Sequence, residues 1–236
     1  MNIVKINNLT NVDENTRIAR YFKFDHFKQL VQNKNLYLSN ANKFTDKNER
    51  RLPPQFFMYK NKKTEEIHNK MENGKNEIVH AYISCWTEFI EESYAFWKIY
   101  VPDNNGVCAV TTVKKLRDSM MDDKNLIICK VDYIKTSENR TNCTIPTVDF
   151  DEFPYSHTLK EVYKIYPYEY EKEIRLVKFL KSNKTNVNLD LVDELNIFDE
   201  IYINPFANEE TVDKLQNFCN EYYRNARILT SSINDK

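Results

Sequence analysis

The chain has 236 residues and carries 34 lysines and arginines against 35 aspartates and glutamates. This balance of charge argues against a protein that coats nucleic acid or another polyanion. Only two glycines are present, Gly74 and Gly106, which excludes the glycine-rich phosphate loops of Rossmann and P-loop proteins. A chain of this length can bury a hydrophobic core without disulfides, and we expect a single domain over residues 1–236.

The compartment and the metal content are inferred from the cysteines, the histidines and the hydropathy. Five cysteines occur without a C-x-x-C pair, which is typical of reduced thiols rather than of a disulfide framework. The amino terminus has no apolar signal region, and no run of about 18 apolar residues occurs. The four histidines are far apart in the sequence. We therefore expect a cytoplasmic protein with no membrane segment and no metal site.

The pattern of residues in the first part of the chain predicts two short strands and a helix. They follow a polar lead-in over residues 1–16. Residues 20–24 alternate between polar and apolar side chains, which predicts a strand. Asp25 can then cap a helix. Residues 36–39 predict a second short strand.

The middle of the chain alternates between strand and helix patterns. Apolar runs and the residues that break them predict strands over 78–84, 107–111 and 126–131 and helices over 91–100 and 113–121. The pattern of neighbouring strands and helices indicates an α+β fold with a mixed central sheet and packed helices.

Residues 136–158 form the longest stretch without a regular pattern. In a compact domain, a stretch of this kind is typical of a functional loop. After it, the pattern predicts strands over 174–180 and 200–203, an amphipathic helix over 209–223 and a last strand over 227–230.

Three segments combine reactive side chains with predicted strands. In the first segment, the period of two places Arg20 and Phe22 on one face and Tyr21 and Lys23 on the other. The guanidinium of Arg20 has the paired N–H groups that bind phosphates and carboxylates. An exposed edge strand with solvated cations explains the same residues.

The second segment begins at the end of the predicted strand over 78–84. Hydroxyl groups at the carboxyl end of a strand, here Ser84 and Thr87, face the crevice in which sheet proteins commonly bind ligands. Trp86 and Trp97 follow. They either pack in the core, which is the ordinary fate of tryptophan, or offer a stacking platform to a ligand.

The third segment is the charged run from Glu169 to Arg175. If this run is extended, Glu171, Glu173 and Arg175 share one face at a spacing of roughly 6.6–7 Å. Arg175 could then hold Glu173 while Glu171 stands free, and two close carboxylates would have separated pKa values. A solvated run of charges explains the same residues.

Several ordered motifs resemble a known family. They are RYFKFDHF at 20–27, ISCWTE at 83–88, ESYAFWKIY at 92–100, YEYEKEIRL at 168–176 and IYINPFA at 201–207. Together they resemble the bacterial and phage family known as domain of unknown function 2971, over residues 20–232. No single motif is specific for this family, but the combination of the motifs in this order is specific for it.

A second resemblance concerns the order of an arginine, a Ser-x-x-Thr motif and a Glu-x-Glu motif. This order is similar to the R-S-E arrangement of ADP-ribosyltransferases, which include toxins and anti-phage effectors that consume NAD. The resemblance implies a split central sheet, NAD as substrate, and an unknown protein or nucleic-acid acceptor. It also implies that Glu173 is the catalytic carboxylate and that Glu171 orients the acceptor nucleophile.

The same resemblance implies a set of NAD-binding residues. Arg20 would hold the phosphates or the ribose, Ser84 and Thr87 would brace the site, and Tyr94 or Trp97 would pack on nicotinamide. The remaining members of the predicted set are Tyr21, Lys23 and Trp86.

Three functions follow from these patterns. The first is an NAD-consuming ADP-ribosyltransferase-like enzyme, of the toxin or anti-phage type. The second is a non-catalytic sensor whose aromatic cleft binds a nucleotide or a peptide. The third is a nuclease in which Asp46, Glu49, Glu171 and Glu173 gather Mg²⁺.

Overall fold

The computed structural model describes residues 2–3, 12–44, 79–120, 125–135, 147–148, 157–158, 160–192, 196–231 and 233. It confirms the predicted fold class, a mixed α+β fold with a large mixed sheet and several helices. The chain divides into two compact units, so the predicted single domain stays a prediction. The first unit comprises Met1–Asn11, Leu38–Ser84 and Lys124–Val187, and the second comprises Val12–Tyr37, Cys85–Asp123 and Asn188–Lys236.

Strands and helices are numbered in chain order. The strands are β1 (Asn2–Ile3), β2 (Arg17–Lys23), β3 (Asn35–Asn40), β4 (His80–Glu88), β5 (Gly106–Thr112), β6 (Leu126–Lys130), β7 (Asp132–Ile134), β8 (Thr147–Val148), β9 (His157–Thr158), β10 (Tyr163–Ile165), β11 (Glu173–Leu180), β12 (Asn186–Asp190), β13 (Glu200–Ile203) and β14 (Arg227–Thr230). The α-helices are α1 (Phe24–Asn33), α2 (Tyr94–Tyr100), α3 (Val113–Asp118) and α4 (Glu209–Tyr222). Short 3₁₀ helices cover Ala41–Lys43, Lys160–Val162 and Tyr166–Glu171.

The core of the first unit is built on β6 and β11, which pair antiparallel. β1 adds to β6 in parallel, and β7 pairs in parallel with β10. β11 is buried from Glu173 to Phe179, although it contains three charged residues. Because a buried charge is costly unless it is paired, this strand must bring its charged side chains to partners.

The second unit packs helices on an antiparallel core of strands. β2 pairs with β5 and with the end of β4, while β13 pairs with β5 and β14 extends the sheet in parallel with β13. An aromatic cluster joins α2 to β2: the ring centroid of Tyr21 lies 4.9 Å from that of Trp97 and 5.6 Å from that of Phe96.

Two helix starts differ from the predictions. α1 begins at Phe24, directly after β2, so that Asp25 lies in the first turn and does not cap the helix. α2 begins at Tyr94 and not at residue 91, because the Ser93 hydroxyl accepts a hydrogen bond from the N–H of Phe96 at 3.4 Å. A serine that satisfies an otherwise unpaired N–H group sets the first residue of a helix more strongly than helix propensity does.

The first two predicted site segments are placed differently in the sheet than expected. β2 lies between β4 and β5, so the exposed edge strand is wrong. β4 continues to Glu88, which places Ser84 in the middle of a strand and not at its carboxyl end. The predicted face is confirmed for Arg20 and Phe22, because the guanidinium carbon lies 4.9 Å from the ring centroid.

Candidate functional site

The third sequence segment forms a buried charged cluster in the first unit. Glu171 ends the 3₁₀ helix Tyr166–Glu171, and Glu173 begins β11. Lys172, between them, has a left-handed backbone with φ of 43° and ψ of 49°. The expectation that both glutamates share a strand face is therefore wrong, because the chain turns between them.

Both carboxylates nevertheless meet at one ammonium group. Lys164 Nζ lies 2.5 Å from Glu171 Oε2 and 3.6 Å from Glu173 Oε2. Arg175 donates to the same Glu173 oxygen from Nη2 at 2.7 Å and from Nε at 3.2 Å. These contacts pair two carboxylates with two cations in a region that water scarcely reaches, and the charge-assisted hydrogen bonds are of the strong class.

Arg175 is the most deeply buried member of this charged cluster. Its side chain has no exposed surface, and its Nη1 donates to the backbone oxygen of Glu161 at 2.6 Å. A guanidinium keeps its charge under all ordinary conditions, so it holds Glu173 in the ionised form.

The pairing of Glu173 with Arg175 confirms the sequence prediction, whereas the free Glu171 is wrong because Lys164 binds it. Residues two apart on a strand share a face, so the first pair was readable from spacing. Lys164 was missed because it lies seven residues before Glu171, and the intervening 3₁₀ helix gives that spacing no characteristic geometry.

Two neutral side chains, those of Tyr133 and Cys129, form hydrogen bonds with the backbone of the cluster. Tyr133 accepts a hydrogen bond from the N–H of Glu173 at 2.8 Å, and burial raises the pKa of this phenol far above its ordinary value. Cys129 donates to the backbone oxygen of Arg175 at 3.7 Å, and burial raises the pKa of its thiol to about 12. The charged cluster therefore gains no additional anion from either residue at neutral pH.

Tyrosines alternate with the charged residues of this part of the sequence, and one of them contacts the charged cluster. The ring centroid of Tyr168 lies 4.6 Å from Lys164 Nζ, which gives the ammonium a cation–π contact. Tyr166 and Tyr170 are 43% and 50% exposed. Exposed aromatic rings of this kind are able to stack on the ring of a ligand.

The first sequence segment, residues 20–23, and helix α2, which carries Trp97, lie in the second unit. Tyr21 is buried, and its hydroxyl accepts a hydrogen bond from the N–H of Ser93 at 2.8 Å. Trp97 is fully buried and donates from Nε1 to Glu92 Oε1 at 3.0 Å. Trp86 is also buried, so both tryptophans pack in the core. Tyr94, by contrast, is 58% exposed and remains accessible to a ligand.

The remaining predicted NAD-binding residues occupy β2 and β4. Arg20 is half-buried, and burial lowers the pKa of its guanidinium. Lys23 is exposed, Ser84 is buried and Thr87 is half-buried. Their roles toward NAD stay predictions.

The expected convergence of Arg20, Ser84 and Glu173 also stays a prediction, because Arg20 belongs to the second unit and the other two residues belong to the first. Asp46 and Glu49, which the nuclease hypothesis needs, lie outside the described residues, as does most of the predicted 136–158 loop.

The part of the chain that the structure describes bears on membrane insertion and on metal binding. None of the helices in this part of the chain is long and apolar enough to cross a bilayer. Among the same residues, no group of three His, Cys, Asp or Glu side chains lies close enough to hold a metal ion.

The fold and the charged cluster define a mixed α+β protein with buried, paired carboxylates. Comparison with protein families, curated proteins and solved structures finds no match. The resemblances noted in the sequence therefore stay predictions.

Lys178 offers a test of how β11 tolerates buried charge. It lies five residues after Glu173 and so points to the opposite face of the strand. Burial lowers the pKa of its ammonium from 10.5 to about 8. Between these two values the unfolded chain binds more protons than the folded chain, so the Lys178 contribution to stability rises as the pH increases from about 8 to about 10.5.

We expect Lys178→Met to be more stable than the wild type below pH 8, with an advantage that shrinks as the pH rises through this window. Urea unfolding of both proteins at a series of pH values measures the difference. A stability difference that does not change with pH would contradict the prediction.

Proposed function

We propose that the protein is an NAD-consuming enzyme of the ADP-ribosyltransferase type, with Glu173 as its catalytic carboxylate. The observation that carries the proposal is the meeting of Glu171 and Glu173 at Lys164 Nζ, at 2.5 and 3.6 Å. The two carboxylates share Lys164, and Arg175 in addition holds Glu173. Their environments therefore differ, which suits them to different roles.

The proposed reaction breaks the bond between the ribose anomeric carbon and the nicotinamide nitrogen. The bonding electron pair leaves with the nitrogen, so that the pyridinium becomes neutral nicotinamide. The sugar acquires positive charge of the oxocarbenium type, which the ionised Glu173 stabilises electrostatically. A nucleophile of the acceptor, or water, then bonds to the anomeric carbon and releases one proton.

The neighbouring residues have proposed supporting roles. Arg175 keeps Glu173 ionised and positioned, and Lys164 holds Glu171 beside it. Glu171 orients the acceptor nucleophile and takes its proton when it exchanges Lys164 for that group. Tyr170, which is half exposed, offers its ring to nicotinamide.

The proposal includes a cellular setting. We place the protein in the cytoplasm, where NAD is available, and among the toxins or anti-phage effectors that consume it. The acceptor is a protein, a nucleic acid or water.

A second candidate function is a non-catalytic module that binds a nucleotide. It is supported by the ion pairs themselves, because Arg175 and Lys164 already neutralise both carboxylates. A charge that is fully paired in the resting protein has a structural role in many folds.

The test is nicotinamide release from NAD by the purified protein, compared with Glu173→Gln and Glu171→Gln. We expect Glu173→Gln to lower the release rate by at least about a hundredfold, because a positioned electrostatic group is lost. The matched control is Glu200→Gln in the second unit, where a buried glutamate is also paired with arginines, Arg17 and Arg227. Circular dichroism confirms the fold of each variant.

The outcomes separate the two candidates. Release that is lost in Glu173→Gln and retained in Glu200→Gln supports catalysis by Glu173. NAD binding without release, unchanged in Glu173→Gln, supports the binding module. Neither binding nor release by the wild type, even with cell lysate as the acceptor source, would reject both.

A further inference from the structure

The 3₁₀ helix Tyr166–Glu171 has one face toward the charged cluster and two faces toward solvent. A 3₁₀ helix has three residues per turn, so side chains three apart share a face. The inward face carries Tyr168 and Glu171, and both contact Lys164 Nζ, the ring centroid at 4.6 Å and the carboxylate at 2.5 Å. The two outward faces carry exposed residues, Tyr166 with Glu169 and Pro167 with Tyr170. Two tyrosine rings are therefore turned outward on the helix that ends at Glu171.

The ring of Tyr166 carries a cation. Lys135 Nζ lies 4.6 Å from the centroid of this ring, and both residues are exposed. Within the described residues, the Lys135 ammonium has no carboxylate at ion-pair distance. An accessible aromatic ring next to such a charge suits a ligand that joins an aromatic ring to an anion, because the ring of the ligand stacks and its anion pairs with the ammonium.

Glu169 adds a carboxylate to the helix face that carries Tyr166. It follows Tyr166 by one 3₁₀ turn, which is about 6 Å along the helix axis. An ionised carboxylate only accepts hydrogen bonds, and the hydroxyl groups of a ribose are donors that such a group commonly binds. The aromatic ring, the ammonium and the carboxylate thus complement the base, the phosphate and the ribose of a nucleotide.

We propose that Tyr166, Lys135 and Glu169 form a subsite for a nucleoside monophosphate. Its assignment to the adenosine phosphate half of NAD rests on the proposed function, in which Tyr170 takes the nicotinamide ring. The two tyrosines are four residues apart, which is a rise of about 8 Å along the 3₁₀ helix, and their rings lie on different outward faces. An extended dinucleotide, which has one ring at each end, fits this separation. All of these residues belong to the first unit.

The first experiment titrates the full chain with ADP-ribose and follows the adenine protons by saturation-transfer NMR. ADP-ribose has the adenosine phosphate half of NAD but no nicotinamide, so its binding needs no catalytic step. Tyr166→Leu keeps an apolar side chain and removes the aromatic ring, and Lys135→Met removes the charge. The matched controls lie in the second unit. They are Tyr37→Leu, at a tyrosine that is 46% exposed, and Lys214→Met, at an exposed lysine whose Nζ lies 4.7 Å from the ring centroid of Phe24.

We expect the wild type to bind ADP-ribose saturably. Tyr166→Leu should raise the Kd at least about fivefold, the lower end of the range for removing an aromatic ring on which a base stacks. Lys135→Met should raise the Kd about two- to fivefold at low salt and less at high salt, because an exposed ion pair is screened. Tyr37→Leu and Lys214→Met should bind ADP-ribose as the wild type does.

Nicotinamide release from two substrates separates the subsite from a purely structural role of Tyr166. Nicotinamide mononucleotide has the nicotinamide half of NAD and lacks the adenosine phosphate half. We expect Tyr166→Leu to raise the KM for NAD at least about fivefold and to leave kcat unchanged, because the lost contact is made equally in the ground state and the transition state. The same variant should process nicotinamide mononucleotide with the kcat/KM of the wild type.

Three results would overturn the subsite. They are the absence of saturable ADP-ribose binding by the wild type, wild-type affinity in both Tyr166→Leu and Lys135→Met, and equal losses with NAD and nicotinamide mononucleotide in Tyr166→Leu. A wild type that releases no nicotinamide would instead overturn the proposed function and the assignment of the subsite to NAD. In that case the ADP-ribose titration by itself decides whether the subsite exists.

Discussion

Replacing Arg175 by methionine is expected to lower the free energy of unfolding by about 3–5 kcal/mol. Arg175 is completely buried and holds the buried carboxylate of Glu173 through two hydrogen bonds. Methionine fills a similar volume but removes both of these hydrogen bonds and the positive charge that faces the buried carboxylate. The destabilisation therefore comes mainly from the loss of the Arg175 charge beside a buried anion. Urea unfolding, with the midpoint and slope compared to the wild type, measures it.

Arg227→Met is the matched control for this prediction. Arg227 also donates to a buried glutamate, Glu200, but its side chain is 72% exposed. An exposed partner is screened by water, so we expect a loss of at most about 1 kcal/mol. Equal losses of unfolding free energy in Arg175→Met and Arg227→Met would contradict the prediction, because the burial of the arginine would then have no effect on the stability that it contributes.

A double substitution separates the structural role of the pair from its proposed catalytic role. Replacing a buried ion pair by apolar residues of similar volume is often neutral, because both desolvation costs disappear. Arg175→Met combined with Glu173→Leu should therefore recover most of the stability that Arg175→Met loses. It should still release no nicotinamide if Glu173 is catalytic.

Trp97→Ala is expected to lower the free energy of unfolding by about 3–5 kcal/mol, the range for truncating a large buried aromatic residue. Trp97 is fully buried and packs its ring edge-on to Tyr21, with centroids 4.9 Å apart. The substitution leaves a cavity between α2 and β2 and removes the hydrogen bond to Glu92. Thermal and urea unfolding measure the effect.

Ile99→Ala on the same helix is the control. Ile99 is 53% exposed, and alanine has the higher helix propensity, so the change should stay within about 0.5 kcal/mol. If Trp97→Ala were as mild as Ile99→Ala, the side chain could leave the core at little cost. The Trp97 side chain would then be able to move out of the core and pack on nicotinamide, as predicted from the sequence.

The strands and helices with strong local patterns were predictable from sequence. The predicted strands over 200–203 and 227–230 have the bounds of β13 and β14, and the predicted helix over 209–223 ends one residue beyond α4. In these segments the alternation, the turn residues and the Asn208 cap all favour the same structure. The Glu173–Arg175 pair was predictable for the same reason, because a strand places alternate residues on one face.

Other features depended on contacts that are distant in sequence. β4 continues beyond Ser84 because its last residues pair with β2: Thr87 lies opposite Ala19 and Glu88 opposite Ile18. The local sequence around Ser84 carries no information about that partner. The predicted crevice position of Ser84 therefore gave way to a buried position inside a strand.

The sequence by itself determined the α+β class, the ends of the strongly patterned elements and the Glu173–Arg175 pair, since each depends on near neighbours in the chain. Only the tertiary structure decided that Lys164 joins Glu171 to Glu173 and that Trp97 and Asn204 are buried. A buried charge or polar group must find its partner in space, and the chain can bring that partner from any distance in sequence.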